Sequence, residues 1–400
     1  MKNRKIENYI FSVIFFVAMF AFAILSALQT VPELKKVLED VTEENKSELV
    51  NSVDTCINEN VYMRYECVEM YGTLNRLLGK KEINGFDYAV DKNGSYNSVN
   101  FWLLTELDAA QRYAQQLLML KEEAEDEGAE FVFLAFPNKY NEKWCEGYEG
   151  IPYNGYNEMM DQLLLWNRRY GINYIDYREM LANKGLSFEE MFYRTDHHWN
   201  AMTAFYAFEE LVGYMNEKFD AELDSDGYYR DIRNYNVEIL EKSFLGSSGR
   251  KAGIAFGNQE LEDFHKIVPK FNRSITLNGK TGGYLDTVLL EKRLEKGIIY
   301  ESDMYSFYMD GVSAKEIIIN NDNLDGPKIL FIRDSYASPL IVDMIPLCSQ
   351  IDCIWGKYAT DEVVKDIVNK GNYDYVLVGY YTENLNDEFF QFYVNDYPEE

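Results

Sequence analysis

The chain has 400 residues, 39 Lys and Arg against 67 Asp and Glu, and a formal net charge of -28. That balance argues against a nucleic-acid partner, because a phosphate backbone needs Lys and Arg opposite it. The length suffices for a large buried core, as one large or two ordinary domains.

Tyr9 to Leu28 is apolar and carries no charge. Twenty such residues match the hydrocarbon thickness of a bilayer. Lys2, Arg4 and Lys5 precede the span and acidic sequence follows it. The positive-inside rule then places residues 1–8 in the cytoplasm and the rest outside, on a single-pass anchor. A cleaved signal peptide competes with this reading, but Ile24-Leu25-Ser26-Ala27 is a poor small-residue cleavage site. Residues 29–80 are polar with an apolar period through Val31, Leu34, Val37 and Leu38, as in a helical stalk or lead-in. Five cysteines (Cys56, Cys67, Cys145, Cys348 and Cys353) show no zinc-type spacing. A Cys56–Cys67 disulfide and a set of buried thiols both fit them.

From residue 81 the pattern is that of a single α/β domain running to residue 400. Phe86 to Trp102 reads as a hairpin around Asn93-Gly94. A helix follows over Thr105–Glu127, with Leu107 and Tyr113 on its apolar face, then the continuous apolar run Phe131–Phe136, stopped by Pro137. Such a run suits a buried parallel strand. Next come a helix over Tyr156–Arg169, a strand over Ile172–Asp176 and a helix over Trp199–Phe219. Residues 220–327 hold a Gly/Ser loop, Phe244-Leu245-Gly246-Ser247-Ser248-Gly249-Arg250, and short mixed strands. The rhythm resumes with a strand at 328–332, a helix at Pro339–Leu347 and a strand at Ile351–Trp355. A helix at Asp361–Lys370 and a strand at Tyr375–Val378 complete it. Alternating strands and helices predict a parallel sheet covered on both faces.

Histidine is scarce, three in all, and two are adjacent in Asp196-His197-His198-Trp199. Histidine is the side chain that titrates unaided near neutral pH. In an extended loop, residues i and i+2 share a side, so Asp196 can orient His198 and leave its Nε2 free, with His197 pointing away. Ser335 follows the strand at 328–332 and precedes a helix. Sites in parallel sheets form at such carboxyl ends, and unpaired N–H groups there can stabilise an oxyanion. A serine hydroxyl needs a base and a carboxylate to act as a nucleophile. Asp334 beside it reads as a turn-shaping residue. Other readings stay open: Asp196 as a helix cap, a metal held by Asp196, His197 and His198, or Ser335 as a plain cap. Arg250 is a candidate for a substrate hydroxyl or carboxylate, His265 reads as structural, and Glu383 and Asn384 fall near the expected crevice. Most of the 32 Tyr read as core and strand filler, although flat faces with polar rims also suit sugar stacking.

The Asp-x-His-Trp segment before a helix, followed by a late strand-Asp-Ser-Tyr, resembles the family named for its DHHW motif. That family is related to the alginate acetyltransferase proteins of the AlgJ and AlgX type within the SGNH-hydrolase-like superfamily. Phe136-Pro137-Asn138-Lys139 and Phe244-Leu245-Gly246-Ser247 add to the likeness, which spans residues 83–385 in motif order. The resemblance implies an SGNH-like three-layer α/β/α sandwich with a central, mostly parallel sheet, here preceded by a transmembrane helix. It implies Asp196, His198 and Ser335 as a triad for O-acetyl transfer to an extracellular polysaccharide. Beside the triad, Arg250, Arg333, Tyr336 and Trp199 are the substrate-binding candidates, with Arg333 standing where such serine motifs usually have Gly. It implies a multispanning membrane acyltransferase as donor partner, and neither cofactor nor metal. An acetylesterase with the same triad and a non-catalytic glycan-binding envelope protein are the alternatives.

Overall fold

The computed structural model describes residues 2–42, 49–99, 109–141, 143–144, 155–257, 260–295 and 297–394. Trp102, Leu107 and Cys145 lie outside them. The chain forms two compact units, residues 1–73 and 74–400.

The first unit is helical: α1 (Lys2–Glu39), α2 (Leu49–Glu59) and the start of α3 (Arg64–Leu77). The helix α1 is long and apolar enough to cross a membrane, with a mean hydropathy of 2.6 over its most apolar window. A membrane anchor and a signal sequence both answer that description. Thr30 donates to the carbonyl of Asn60 at 3.0 Å, tying α1 to the end of α2. Cys56 and Cys67 are free thiols.

The second unit begins with a small antiparallel sheet of β1 (Glu82–Ile83), β2 (Tyr88–Val90) and β3 (Tyr96–Asn97). The hairpin expected around Asn93-Gly94 is the β2–β3 pair. The main sheet draws on β4 (Glu130–Phe136) and β5 (Tyr174–Asp176). A separate two-stranded ribbon, β6 (Tyr235–Phe244) and β7 (Glu262–Pro269), intervenes in the chain. The main sheet then continues with β8 (Ile275–Leu277), β9 (Lys280–Gly282), β10 (Lys315–Asn320), β11 (Lys328–Arg333), β12 (Gln350–Trp355) and β13 (Tyr375–Tyr381). Its order is β5-β4-β13-β11-β12-β10-β8-β9. The first five strands are parallel, and β10, β8 and β9 add an antiparallel flank.

Strand period places the core. Alternate side chains point to opposite faces. Phe131, Phe133, Leu330, Ile332, Val376 and Val378 pack into one core, against α4 (Ala109–Asp126), α5 (Tyr156–Arg169) and α12 (Asp361–Gly371). Val132, Leu134, Phe136, Ile329, Phe331 and Leu377 pack into the other. There they meet α6 (Tyr177–Lys184), α7 (Phe188–Met191), α8 (Ala201–Phe219) and α11 (Ala337–Met344). The continuous apolar strands of the sequence are buried on both sides for this reason. Two short helices, α9 (Ser247–Ala252) and α10 (Tyr284–Thr287), lie in the 220–327 segment. The helix α6 begins directly after β5 because Asp176 caps it, accepting from the Arg178 N–H.

Candidate active site

Three loops meet at the carboxyl ends of the parallel strands. After β4, Pro137 ends the ladder and Asn138-Lys139 turns inward. Lys139 is 2% exposed, and its ammonium donates to the carbonyls of Tyr193 (3.0 Å), Arg194 (2.8 Å) and Asp196 (2.5 Å). The loop before α8 is thereby held from inside. Glu262 of β7 clamps the same loop by accepting from Arg194 N, Thr195 N and Thr195 Oγ1. A side chain at Gly246 would collide with Asp196, so the Gly/Ser loop can pack there only with glycine.

The geometry selects among the open readings. Asn200, not Asp196, caps α8: its Oδ1 accepts from Thr203 N at 3.0 Å. Asp196 is free to turn inward, where its Oδ1 accepts from His198 Nδ1 at 2.6 Å and His198 N at 3.0 Å. Its Oδ2 accepts from Ser247 N at 2.6 Å. On the other side of the imidazole, Ser335 Oγ donates to His198 Nε2 at 2.7 Å. Ser335 therefore does not cap the helix that follows it. Asp196, His198 and Ser335 form one hydrogen-bonded row, although Ser335 is 137 residues from His198 in sequence. Asp196, His197 and His198 also offer ligand atoms within 4.8 Å of one another, but both His198 nitrogens are already engaged.

Electrostatics favour this state of the row. Burial of Asp196 works against its charge. The two histidines and the Ser247 N–H outweigh that and hold its pKa well below the ordinary carboxylate value. The His198 ring lies between two others, Tyr305 at 3.8 Å and 13°, and His197 at 3.8 Å and 37°. Asp334 shapes the turn: its carboxylate accepts from Tyr336 N, Tyr381 N and Asn384 Nδ2. Glu383 binds Asn138 and Tyr381 at the same rim.

Five expectations need correction. Arg333 was expected to bind substrate but is wholly buried. It stands in strand period with Ile329 and Phe331, so its side chain enters the core, where it pairs with Glu316 and donates to Ser338 Oγ at 2.8 Å. Trp199 and Tyr336 have no exposed surface either. The Trp199 indole donates to the Tyr336 carbonyl at 3.1 Å and the Tyr336 hydroxyl donates to the His197 carbonyl, so the pair joins the two loops. Arg250 turns from the crevice to the Ser302 carbonyl at 2.7 Å and to Asp303, and its neighbour Lys251 lines the crevice instead. His197 does not point away from His198 but lies against its ring, tilted by 37°.

A crevice of about 630 Å³ opens over Ser335. Tyr88, Tyr156, Trp355 and Tyr381 give it flat aromatic walls, and Asn138, Lys251, Lys357 and Glu383 give it polar edges. Lys139 and Glu262 were not singled out as site residues, whereas Glu383 and Asn384 line the crevice they were expected near. Two buried charges next to the motif, Lys139 and Glu262, do the positioning.

Residues 102–232 match the family model described as the SGNH hydrolase-like domain of acetyltransferase AlgX. The chain adopts an SGNH-like α/β fold. Its SGNH-like unit is similar to the solved structure of Bacillus cereus PatB1, at 18% identity and a TM-score of 0.57, covering 76% of this chain and 99% of that one. PatB1 with a sulfonyl adduct gives a TM-score of 0.58 at 17% identity, covering 78% and 99%. A DHHW family protein from Eubacterium siraeum gives 0.51 at 18% identity, covering 69% and 85%. No curated protein matches. The resemblance to DHHW-motif and AlgX-type proteins read from the motif order thus holds in these comparisons.

Proposed function

We propose that this SGNH-like protein is an extracytoplasmic O-acetyltransferase acting on a cell-surface or secreted polysaccharide through an acetyl-serine intermediate. The observation that carries the reading is the row Asp196–His198–Ser335, at 2.6 and 2.7 Å. Ser335 is half-buried at the floor of the crevice.

In the first half-reaction His198 Nε2 takes the Ser335 proton as Oγ bonds to the donor acetyl carbon. The proton then passes to the departing donor oxygen as its bond breaks. In the second, an acceptor hydroxyl gives its proton to His198 and attacks the acetyl carbon. The Ser335 ester bond breaks and Oγ regains the proton. Asp196 holds the imidazole in the tautomer with Nδ1 protonated and offsets the positive charge that develops on it. In this reading the Ser335 N–H binds the oxyanion. Aromatic walls suit the faces of a sugar. Tyr9 to Leu28 serves as the anchor in this reading, with a multispanning membrane acyltransferase as donor partner; the charge asymmetry around the span supports that orientation.

The test is p-nitrophenol release from p-nitrophenyl acetate by the full-length protein in detergent. Ser335→Ala and His198→Ala should be similarly inactive and the double variant no worse, because the groups act as a unit. Full activity in Ser335→Ala contradicts the proposal. Acetate as the sole product, even with polysaccharide acceptors present, replaces transferase by esterase.

A further inference from the structure

The second imidazole of the motif is not used by the triad, yet it faces the same space. His197 lines the crevice with Ser335, and about a third of its side chain (37%) is open. Its Nδ1 lies 3.2 Å from Ser247 Oγ and 3.4 Å from Asp196 Oδ1, the carboxylate oxygen that also receives His198 Nδ1. Both Nδ1 edges therefore point at one carboxylate. The rings are in close contact, with centroids 3.8 Å apart and planes tilted by 37°. The Nε2 of His198 meets Ser335 Oγ at 2.7 Å. His197 shares with Ser335 the crevice in which the acetyl-serine would form.

The carboxylate and Ser247 place the His197 proton on Nδ1, which leaves Nε2 as an acceptor. Burial and the adjacent His198 hold the His197 pKa below the ordinary imidazole value, so the ring stays neutral at neutral pH. Two neutral imidazoles in contact at one crevice can supply two acceptors to a pair of adjacent hydroxyls on a sugar ring. Such hydroxyls lie within hydrogen-bond distance of each other and can each donate one proton. We propose that His197 Nε2 accepts the hydroxyl neighbouring the one that His198 deprotonates, so that the site selects vicinal diols as acetyl acceptors over water and isolated alcohols. This rests on the triad reading above. The acceptor step keeps its balance: the attacking hydroxyl loses its proton to His198, and the neighbouring hydroxyl only donates a hydrogen bond. Water has no second hydroxyl for His197, so it is held less well for attack.

The test separates the two half-reactions in the full-length protein in detergent, with p-nitrophenyl acetate as donor. Ethane-1,2-diol, propane-1,3-diol and ethanol serve as acceptors, and the acetyl products are counted by mass spectrometry. The native protein is expected to acetylate ethane-1,2-diol several-fold faster than the other two. His197→Ala is expected to retain a measurable initial p-nitrophenol burst, lowered by the lost support to Asp196, but to lose that preference and pass more acetyl to water. His197→Gln, whose amide oxygen can accept the same hydroxyl, is expected to recover part of it. A native protein with a burst but no diol preference overturns the proposal and leaves the triad standing, as does His197→Ala with the preference unchanged. Loss of the burst in His197→Ala also overturns it, since His197 would then support His198 and not the acceptor. A burst that survives in Ser335→Ala overturns the triad and this inference together.

Discussion

The ammonium of Lys139 lies 2.5 Å from the main-chain carbonyl oxygen of Asp196. The contact crosses from the loop after β4 to the loop before α8, and fixes the backbone of the residue that orients His198. It also explains why a lysine can be buried here: it donates to three carbonyls and leaves none of them bare. Lys139→Met keeps the length of the side chain and removes the donors. We expect it to cost roughly 2–4 kcal/mol of stability, from carbonyls left unpaired. Esterase turnover should fall about 10²-fold, because displacement on the order of 1 Å has that effect. Denaturant titration and p-nitrophenyl acetate kinetics check both. Unchanged turnover with lowered stability would restrict Lys139 to the fold.

Arg333 and Glu316 form a buried ion pair between β11 and β10, across β12. Removing one partner leaves the other charge buried and uncompensated. Arg333→Met should therefore destabilise by about 3–5 kcal/mol, while Arg333→Met with Glu316→Leu should recover most of that loss. Chemical denaturation of the three proteins decides it. Equal destabilisation of the single and double variants would mean that packing and the Ser338 contact, not charge, govern the site.

Much of the fold was legible in residues whose local pattern and tertiary role agree. Phe131–Phe136 and Lys328–Ile332 are apolar at every inner position and became central parallel strands. Tyr156–Arg169 is amphipathic and became α5. The antiparallel flank and the β6–β7 ribbon were obscure because their strands are short or exposed, as in β6, where six of the ten residues are exposed. At the site, Asp-x-His and a serine after a strand announced themselves by residue type. Arg333, Trp199 and Tyr336 misled for one reason: their sequence position is beside the crevice but their side chains point into the core. The orientation of His197 depends on Ser247, 50 residues away, and no local pattern encodes that.

The carboxyl of Asp343, on α11, is 6% exposed, and burial raises its pKa well above the ordinary value. The folded state keeps this proton at pH values where the unfolded chain, titrating near about 3.9, has lost it. Stability therefore falls as pH rises from about 4 through the folded pKa, by at most ~1.4 kcal/mol per unit. Asp343→Asn removes that slope. The variant should melt higher than the native protein near neutral pH, with the gap closing toward about pH 4. Thermal unfolding across that range checks the sign, and parallel profiles would contradict it.

The central claim, that Ser335 carries the acetyl group, is tested most directly by locating that group. Asp196→Asn should slow turnover while keeping the site assembled, so the intermediate should accumulate. Full-length Asp196→Asn treated with p-nitrophenyl acetate, then read by intact-protein mass spectrometry and peptide mapping, should carry one acetyl group on the peptide containing Ser335. The same protein with Ser335→Ala should carry none there. A folded protein labelled elsewhere, or labelled equally without Ser335, would contradict the account.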